Sequence, residues 1–522
     1  MKKTKLLFAL NLLFSIGVQA QSGSLDITFN NDGIFTYDFG NSDNMNDVKI
    51  QPDQKIVCTG IAFDANYNST LTVMRLNQNG TLDNNFGVNG VFSFINGYDS
   101  YGYDSQILDG GKILVAGIAA VNFNPYKILL VRINSNGTLD TSFGNSGFTL
   151  TDFSPADNFA YGLAVQADGK IVIAGEMTDT VNYQSNPTMV RFDSNGFVDS
   201  TFGVNGQLLI PAISGDNAFR CITIQPDGKI LAAGHYSLIN TGLVEFDFCV
   251  ARADVNGVLD PTFGTNGLVV TPVGNGLDQA FGMDLDTALN IVVAGIASGS
   301  NLNMALLKYD PTGTLDPNFG NNGVVIFDNA SFEGANDVIV QPDNRIVVVG
   351  SSGSFPSPTA ATVWKYLADG TLDSTFAGVG YVTTSIDIDK EDGNSVALQA
   401  DGKIVIAGKY RNVNTANNDA TVIRYNNTVV NTSVNEINVA NSVSVFPNPA
   451  SANQSIMITT EKSIANAPVK MIDLLGNLVF TTNGNFLNNR FEMQLPASIS
   501  QGVYFIIVGD AQSKMVQKIT IK

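Results

Sequence analysis

Glu176 and Glu245 come closest to a catalytic pair in this 522-residue chain. Glycoside hydrolysis needs one carboxyl as acid and a second as base or nucleophile across the scissile bond. Sequence spacing does not fix the separation of these two, and no flanking motif singles them out. His235 is the single histidine. Without a Ser or Cys partner in a recognisable motif it makes no triad, and a surface or rim position is expected for it. HExxH and CxxC metal spacings are absent, as is an SxDxGxxW box. With Trp364 the sole tryptophan, stacking on sugars falls to the 15 tyrosines. The expectation is no catalytic residue and a non-enzymatic binding or adhesion role, with a secreted carbohydrate-active enzyme as the alternative.

Metal chemistry is weighed on the turns DSNGFVD from Asp193, DVNGVLD from Asp254 and DPTGTLD from Asp310. Carboxylates and amides at alternate positions suit Ca²⁺, but the further spacing and terminal Glu of an EF-hand loop are missing. The matching first position is Asn77, Asn134 or Leu367 in other copies, so an Asx-type turn explains the whole set. No cofactor is expected, with structural calcium the one alternative. A formal charge of -19 without a Lys/Arg cluster argues against nucleic acid and anionic membranes as partners. Cys58, Cys221 and Cys249 are an odd set without framework spacing. They read as small buried hydrophobes.

The element that must position any such residue is a repeated hairpin. Its copies run QPDQKIVCTG from Gln51, ILDGGKILVAG from Ile107, QADGKIVIAG from Gln166, QPDGKILAAG from Gln225, DTALNIVVAG from Asp286, QPDNRIVVVG from Gln341 and QADGKIVIAG from Gln399. The closing glycines, Gly60, Gly117, Gly175, Gly234, Gly295, Gly350 and Gly408, are 55 to 61 residues apart. Pro-Asp-Gly between β-branched runs is a turn between paired strands. In phase with it runs a second motif: GTLDNNFGVNG from Gly80, GTLDTSFGNSG from Gly137, and five relatives starting at Gly23, Gly196, Gly257, Gly313 and Gly370. Its Leu and Phe, such as Leu139 and Phe143, are too apolar for a free loop and are expected to plug the seam between units.

Four strands per repeat follow. In the second unit strand A lies near Val91 to Ile95, B leads into Ile107, C is Lys112 to Ala119 and D is Lys127 to Asn134. The class is all-β, and seven such units fit a seven-bladed β-propeller, expected to be monomeric; an open solenoid is the alternative. The last D strand, Thr421 to Asn426, lacks a connector of its own, and the spare one is Gly23 to Gly33. Docking that N-terminal segment beside the last blade would close the ring.

Strand alternation puts the B to C turns and D to A connectors on one face and the A to B and C to D loops on the other. The C to D loops vary, so a binding site for a glycan or protein ligand is expected there, around Glu176, His235, Tyr236, Glu245, Lys409, Tyr410 and Arg411. Asp43, Asp99, Asp157, Asp216, Asp278, Glu333 and Glu391 gather on the same face. They read as turn caps or, alternatively, as an acidic rim.

The paired signatures QPDGKI(V/L)xAG and GxLDxxFGxxG at this period resemble the delta-60 repeat family of bacterial propeller-like proteins, over about Gly23 to Asn426. Departures fall at Asn30, Asp286 to Asn290 and Ala377. The resemblance implies an extracellular β-propeller and transfers no catalytic residue.

Residues 1–20, with Lys2, Lys3 and Lys5, an apolar run from Leu6 and Val18-Gln19-Ala20, read as a secretory signal peptide. The propeller is expected over 21–426 and a linker over 427–441. A small Ig-like β-sandwich is expected over 442–522, where strand runs alternate with turn signals. Phe446-Pro447-Asn448-Pro449, Asp473 to Gly476, Gly502-Val503-Tyr504 and the final strand with Lys518 resemble the type A C-terminal sorting domain of the type IX secretion system of Bacteroidetes. That resemblance implies the secretion machinery as partner, passage through the periplasm, and a secreted or outer-surface location. No later run is long and apolar enough for a transmembrane anchor.

Overall fold

The computed structural model describes residues 21–427 and 443–522, less 65, 96, 98, 121–124, 182–183, 212–214, 238–244, 300, 330–331, 354–358, 388–389, 461–463, 465–466, 473–477, 498 and 510–514. The leader and nearly all of the linker lie outside the described residues. Two compact units divide the chain, Met1–Val430 and Asn431–Lys522. No helix among the described residues is long and apolar enough to cross a membrane.

Each repeated hairpin forms as its turn chemistry requires. In the third repeat Gln166 N donates to Lys170 O, Lys170 N donates to the Asp168 carboxylate at 3.1 Å, and Gly169 takes the left-handed φ of +83° that glycine tolerates best. Strand Ile171–Thr178 then lies between Asn158–Val165 and Ser185–Phe192, both antiparallel. The first unit holds seven such four-stranded sheets, here called blades 1 to 7. Their innermost strands are Asn44–Ile50, Asp99–Ile107, Asn158–Val165, Ala218–Ile224, Gln279–Leu285, Phe332–Val340 and Glu391–Leu398.

One grouping differs from the sequence reading. Val91–Ser93 is the outermost strand of blade 1, paired with Ser69–Leu76, and does not open the second blade. The connector explains this, because it folds back on the strand it leaves: Asp83 N donates to Arg75 O and Arg75 N to Gly90 O. The chain crosses to the next blade only after the outermost strand. At the end of the ring the missing outermost strand comes from the N-terminal segment, with Ile34–Tyr37 paired to Asn417–Tyr425 and Gly23 N donating to Asn426 O. On the inner side Asn394 Nδ2 donates to Met45 O and the Asn44 side chain. The ring is closed, and the open solenoid is excluded.

The connector motif makes the seams. Phe86, Phe143, Phe202, Phe263, Phe319, Phe376 and Phe29 are fully buried; Phe86 joins Leu71 and Val73 of blade 1 to Val115 and Leu129 of blade 2 in one core cluster. The leucine plays a lesser part: Leu139 is half-buried and packs against Gly147 of its own connector. Above each phenylalanine lies the cation of the third strand, Arg75 over Phe86 at 4.5 Å and Arg424 over Phe29 at 4.8 Å. That cation also pairs with the connector aspartate: Arg75 with Asp83 at 2.7 Å, Arg191 with Asp199 at 2.9 Å, Arg424 with Asp26 at 2.8 Å. It reaches on to a turn carbonyl of the following connector, Arg75 to Ser135 O and Arg132 to Ser194 O. The lysine of the hairpin turn completes the group, Lys170 to Asp199 and Lys403 to Asp26. In the fifth repeat, where DTALN replaces the usual turn, Asp286 takes up Lys308 at 3.0 Å.

The second unit is a β-sandwich. Val443–Phe446, Ser455–Thr460 and Arg490–Gln494 form one sheet; Leu478–Gly484, Ala467–Ile472, Gly502–Val508 and Met515–Ile521 form the other. Ile456, Val469, Ile506 and Ile519 share a single core. Asn448 of the FPNP segment links the two ends of this unit, donating to Lys518 O at 2.7 Å and accepting from Thr520 N at 3.0 Å. Tyr504 is buried with its hydroxyl on Ser500 O, Gly502 pairs with Ile521, and Phe446 and Lys518 are exposed. Pro447 and Pro449 each follow a cis peptide bond. Asp473 and Gly476 lie outside the described residues.

Burial pushes the seam carboxyls up, but hydrogen bonds from lysine and hydroxyl groups, with the guanidinium beside them, outweigh it. Asp26 and Asp199 are held at about 2; Asp260, where the Thr262 hydroxyl leads, is also at about 2. A carboxyl with a depressed folded-state pKa binds fewer protons folded than unfolded, so its stabilisation is complete above about pH 4 and is lost as pH falls through 2. Asp199→Asn leaves the buried Arg191 without its counter-charge and should cost about 3 kcal/mol at pH 7. It should also shrink the acid-induced loss of stability, both read from denaturant melts at pH 7 and pH 3.

Candidate functional site in the propeller channel

The seven acids of the expected rim divide into two sets. Counting back equally from each closing glycine gives Asp43, Ser100, Asn158, Asn217, Asp278, Glu333 and Glu391, all buried to within 1%. These cap turns: Asp43 accepts Phe39 N and Phe63 N, Asn158 accepts Phe153 N and Ser154 N, and Asp278 accepts Val273 N, Gly274 N and Ser298 N. Asp99, Asp157 and Asp216 stand one residue earlier and more open. Near the ring closure Asp38, Asp43 and Asp419 bring carboxylate oxygens within 4.8 Å of one another. Burial, then Asp38 and Asp419, lifts Asp43 to about 7 against two backbone hydrogen bonds. The turns at Asp193, Asp254 and Asp310 are Asx turns; Asp193 Oδ1 accepts Asn195 N and Phe197 N.

The residues picked from the C to D side fall on three blades. His235 is only 1% exposed, which corrects its expected rim position. Its strand Ile230–Tyr236 is the second of blade 4, covered on both faces, with Phe246 edge-on at 5.0 Å. Burial and the Arg220 charge hold its imidazole down at about 3. Tyr236 is buried and donates to Pro211 O. Glu176, in blade 3, is buried and accepts the Tyr161 hydroxyl at 3.1 Å; burial raises its pKa against the pull of Arg220. Glu245 is half-buried and acts on Asp247 instead, so no partner common to the two glutamates is found among the described residues. Lys409, Tyr410 and Arg411 belong to blade 7. Lys409 pairs with Asp392, Tyr410 donates to Asp419, and Arg411 N donates to Lys390 O.

A different set of residues converges on the axis. In every innermost strand the register slips once against the second strand, as between Met45 and Asp47, Ala160 and Gly162, or Phe219 and Cys221. The slip is a β-bulge, and the residues left over are Asn46, Tyr103, Tyr161, Arg220, Phe281, Asn336 and Asn394. All seven line one channel of about 360 Å³ on the propeller axis. The closing glycine of each hairpin permits the bulge. A Cβ on any of the seven would sit 1.8 to 2.0 Å from an inner-strand carbonyl oxygen, as Gly60 would to Asn44 O and Gly408 to Asp392 O.

Chemically the wall is lopsided. Blades 2 to 5 contribute Tyr103, Tyr161, Arg220 and Phe281; Tyr103 and Tyr161 meet edge to face at 5.4 Å, and burial pushes the Tyr103 phenol up to about 12. Blades 6, 7 and 1 contribute three asparagines, and Asp47 of blade 1, Asp104 of blade 2 and Asp337 of blade 6 stand one residue past their bulges. These acids tie neighbouring strands together: Asp47 accepts Ser105 N, Asp104 accepts Leu163 N, and Asp337 accepts Val396 N. Lys49 pairs with Asp47 and Asp104 at 2.5 and 3.2 Å. Burial lifts Asp337 to about 6. Cys221 also lines the channel and is half-buried, unlike Cys58 and Cys249, which are buried. None of the bulge residues was expected from the sequence. Their signal was present, because each lies fourteen residues before its closing glycine, where the copies read N, Y, Y, R, F, N and N.

This fold defines a seven-bladed β-propeller carried with a C-terminal β-sandwich. Residues 51–86, 111–143, 166–202, 225–263, 290–319, 341–376 and 399–428 match the domain of unknown function (DUF5122) beta-propeller. Residues 444–522 match the secretion system C-terminal sorting domain. The chain belongs to the delta-60 type of propeller-repeat proteins and is exported by the type IX route to the cell surface or beyond. No curated protein matches it. Among solved structures it is similar to a protein of unknown function from Dyadobacter fermentans DSM 18053, at 13% identity and TM-score 0.40, covering 63% of this chain and 95% of that one. It is also similar to PorZ, a surface component of the type-IX secretion system of Porphyromonas gingivalis, at 10% identity and TM-score 0.18, covering 94% and 100%. A third is the Penicillium chrysogenum alpha-L-arabinanase, at 12% identity and TM-score 0.34, covering 74% and 98%.

A carboxyl whose folded-state pKa is raised binds more protons folded than unfolded, so Asp43 costs stability as pH rises from about 4 to 7. Asn158 and Asn217 fill its position in blades 3 and 4 without that cost. Asp43→Asn should therefore melt several degrees higher than the parent at pH 8 and nearly level with it at pH 4, by calorimetry in the presence of a chelator. A lower melting temperature at pH 8 would contradict the assignment.

Proposed function

We propose that the propeller is a non-enzymatic binding or adhesion module, delivered outside the cell by the sorting domain and holding its ligand at the channel wall. One observation carries this reading: seven positions equivalent in backbone geometry hold side chains of four kinds, while the seams around them repeat almost unchanged. A frame kept uniform around a varied concave wall is the pattern of a binding site. Glu176 favours a second reading. A buried carboxyl of raised pKa beside a tyrosine is suited to act as a general acid, which would make the protein a carbohydrate-active enzyme.

Glycan-array and polysaccharide binding of the full-length chain, with mass spectrometry of any bound glycan, separates the two. Binding with intact glycan is the expected result. Cleavage abolished by Glu176→Gln would transfer the site to the enzyme reading. For export, removal of Val443 to Lys522 should leave the protein in the periplasm of its own cells, read by fractionation; its normal appearance in the medium would contradict the role given to the sandwich.

A further inference from the structure

Two cations line the channel, and only one of them is satisfied. Lys49 sits between Asp47 and Asp104. Arg220 pairs with no carboxylate among the described residues; it acts on the Tyr161 hydroxyl, and its Nε is occluded from solvent without an acceptor. Its guanidinium lies over the Tyr161 ring at 4.0 Å. The nearby titratable groups are Glu176, whose Oε1 is engaged by Tyr161, and His235, which burial keeps neutral. By contrast Arg75, Arg132, Arg191, Arg252 and Arg424 each pair with a connector aspartate. A buried donor without an acceptor costs stability, and packing on Tyr161 leaves that cost in place.

The geometry points to Arg220 as the anchor for a carboxylate-bearing, polyhydroxylated ring, the chemistry of a sugar acid. This deepens the binding reading above and rests on it. A guanidinium fork accepts a carboxylate through two parallel hydrogen bonds, and Tyr161, Tyr103 and Phe281 offer faces and edges to the apolar side of a ring. Across the axis Asn336 and Asn394 spend their amide N–H groups on Gly393 O and Met45 O. Their amide oxygens accept no hydrogen bond from a described residue and are open to ligand hydroxyls. The carboxylates of blades 1, 2 and 6 repel an anion from that side, so a ligand lies with its carboxylate toward blade 4. A volume of about 360 Å³ is at the small end of ligand sites.

The test is calorimetric titration of the full-length chain with galacturonate, oligogalacturonates, galactose and galacturonate methyl ester. An acid should bind at least ~10-fold more tightly than its neutral counterparts. Arg220→Met should remove that preference and Arg220→Lys should restore part of it. Binding of the monosaccharide assigns the site to free sugar acids, and binding of the oligomers alone assigns it to a uronate within a polysaccharide; either supports the proposal. Equal binding of acid and neutral sugars, or acid binding unchanged in Arg220→Met, overturns the proposal and leaves the binding reading standing. Silence toward every glycan on the array and in the titration overturns the proposal and turns the binding reading to a protein ligand. Stability supplies an independent readout: Arg220→Met should melt no lower than the parent, as removal of an unsatisfied binding residue predicts, and a large drop would make Arg220 structural.

Discussion

The bond that the molecule depends on joins a connector aspartate to the cation of the strand it has just left. By itself each is an ion pair within one repeat, eight residues apart for Arg75 and Asp83. Its reach comes from the other donors of the same guanidinium, which find a carbonyl in the next repeat, and from the phenylalanine beneath it, which the next repeat's first connector glycine covers. Gly137 and Gly196 have no room for a Cβ against Gly87 and Phe143 respectively. Each seam is thus a charge, a ring and a backbone contact made together. In the last blade the pair is Arg424 and Asp26, 398 residues apart, so the local device of six blades becomes the lock of the seventh. Closure by the N-terminal strand removes the free edges that an open array would present.

A frame of this kind separates stability from recognition. The glycine that ends each hairpin lets an inner-strand carbonyl approach, the approach permits a bulge, and the bulge turns one extra side chain toward the axis. Seven near-identical hairpins therefore present seven independent choices to the channel. The three asparagines also bond a backbone carbonyl of the neighbouring blade, Asn46 to Gly102 O, Asn336 to Gly393 O and Asn394 to Met45 O, whereas no connector ion pair depends on any of the seven, so tyrosine, arginine and phenylalanine alternate with asparagine on the same frame. Asp47, Asp104 and Asp337, one residue on, show the opposite constraint: each is committed to backbone or hydroxyl groups of a neighbouring blade.

Much of this was legible in the residues. The turn chemistry, the period, the seven blades, the borrowed N-terminal strand and the sorting domain all rest on local signals that tertiary context reinforces. The strand grouping was not legible, because a repeat has no natural start; only the hydrogen bonds of the connector show which sheet receives the short strand. Burial of His235 was hidden for a related reason. Its neighbours along the chain, Gly234 and Tyr236, suggest a strand end, whereas the adjacent third strand supplies Phe248 opposite it and the loop beyond supplies Phe246. The expected acids divide on a shift of one residue. Reading acids by type selected Asp99, Asp157 and Asp216, while the fully buried position falls on the neighbouring Ser100, Asn158 and Asn217; Asp99 and Asp157 still accept Ser69 N and Tyr126 N of the preceding blade.

Electrostatics then distinguish Arg220 from every seam arginine. A seam guanidinium meets a carboxylate whose pKa is depressed by its hydrogen bonds, so both partners remain charged over the whole neutral range. Arg220 instead faces a glutamate pushed toward its neutral form by burial and engaged by a phenol, and a histidine driven neutral by burial and by Arg220 itself. The blade 3 and blade 4 side of the channel thus carries a guanidinium in ion-pair contact with no carboxylate among the described residues, while Lys49 on the far side is enclosed by acids. An acidic chain of net charge -19 repels anions in general. A lone guanidinium recessed in the channel restricts anion binding to ligands small enough to enter and shaped to meet it, which converts an overall repulsion into selectivity.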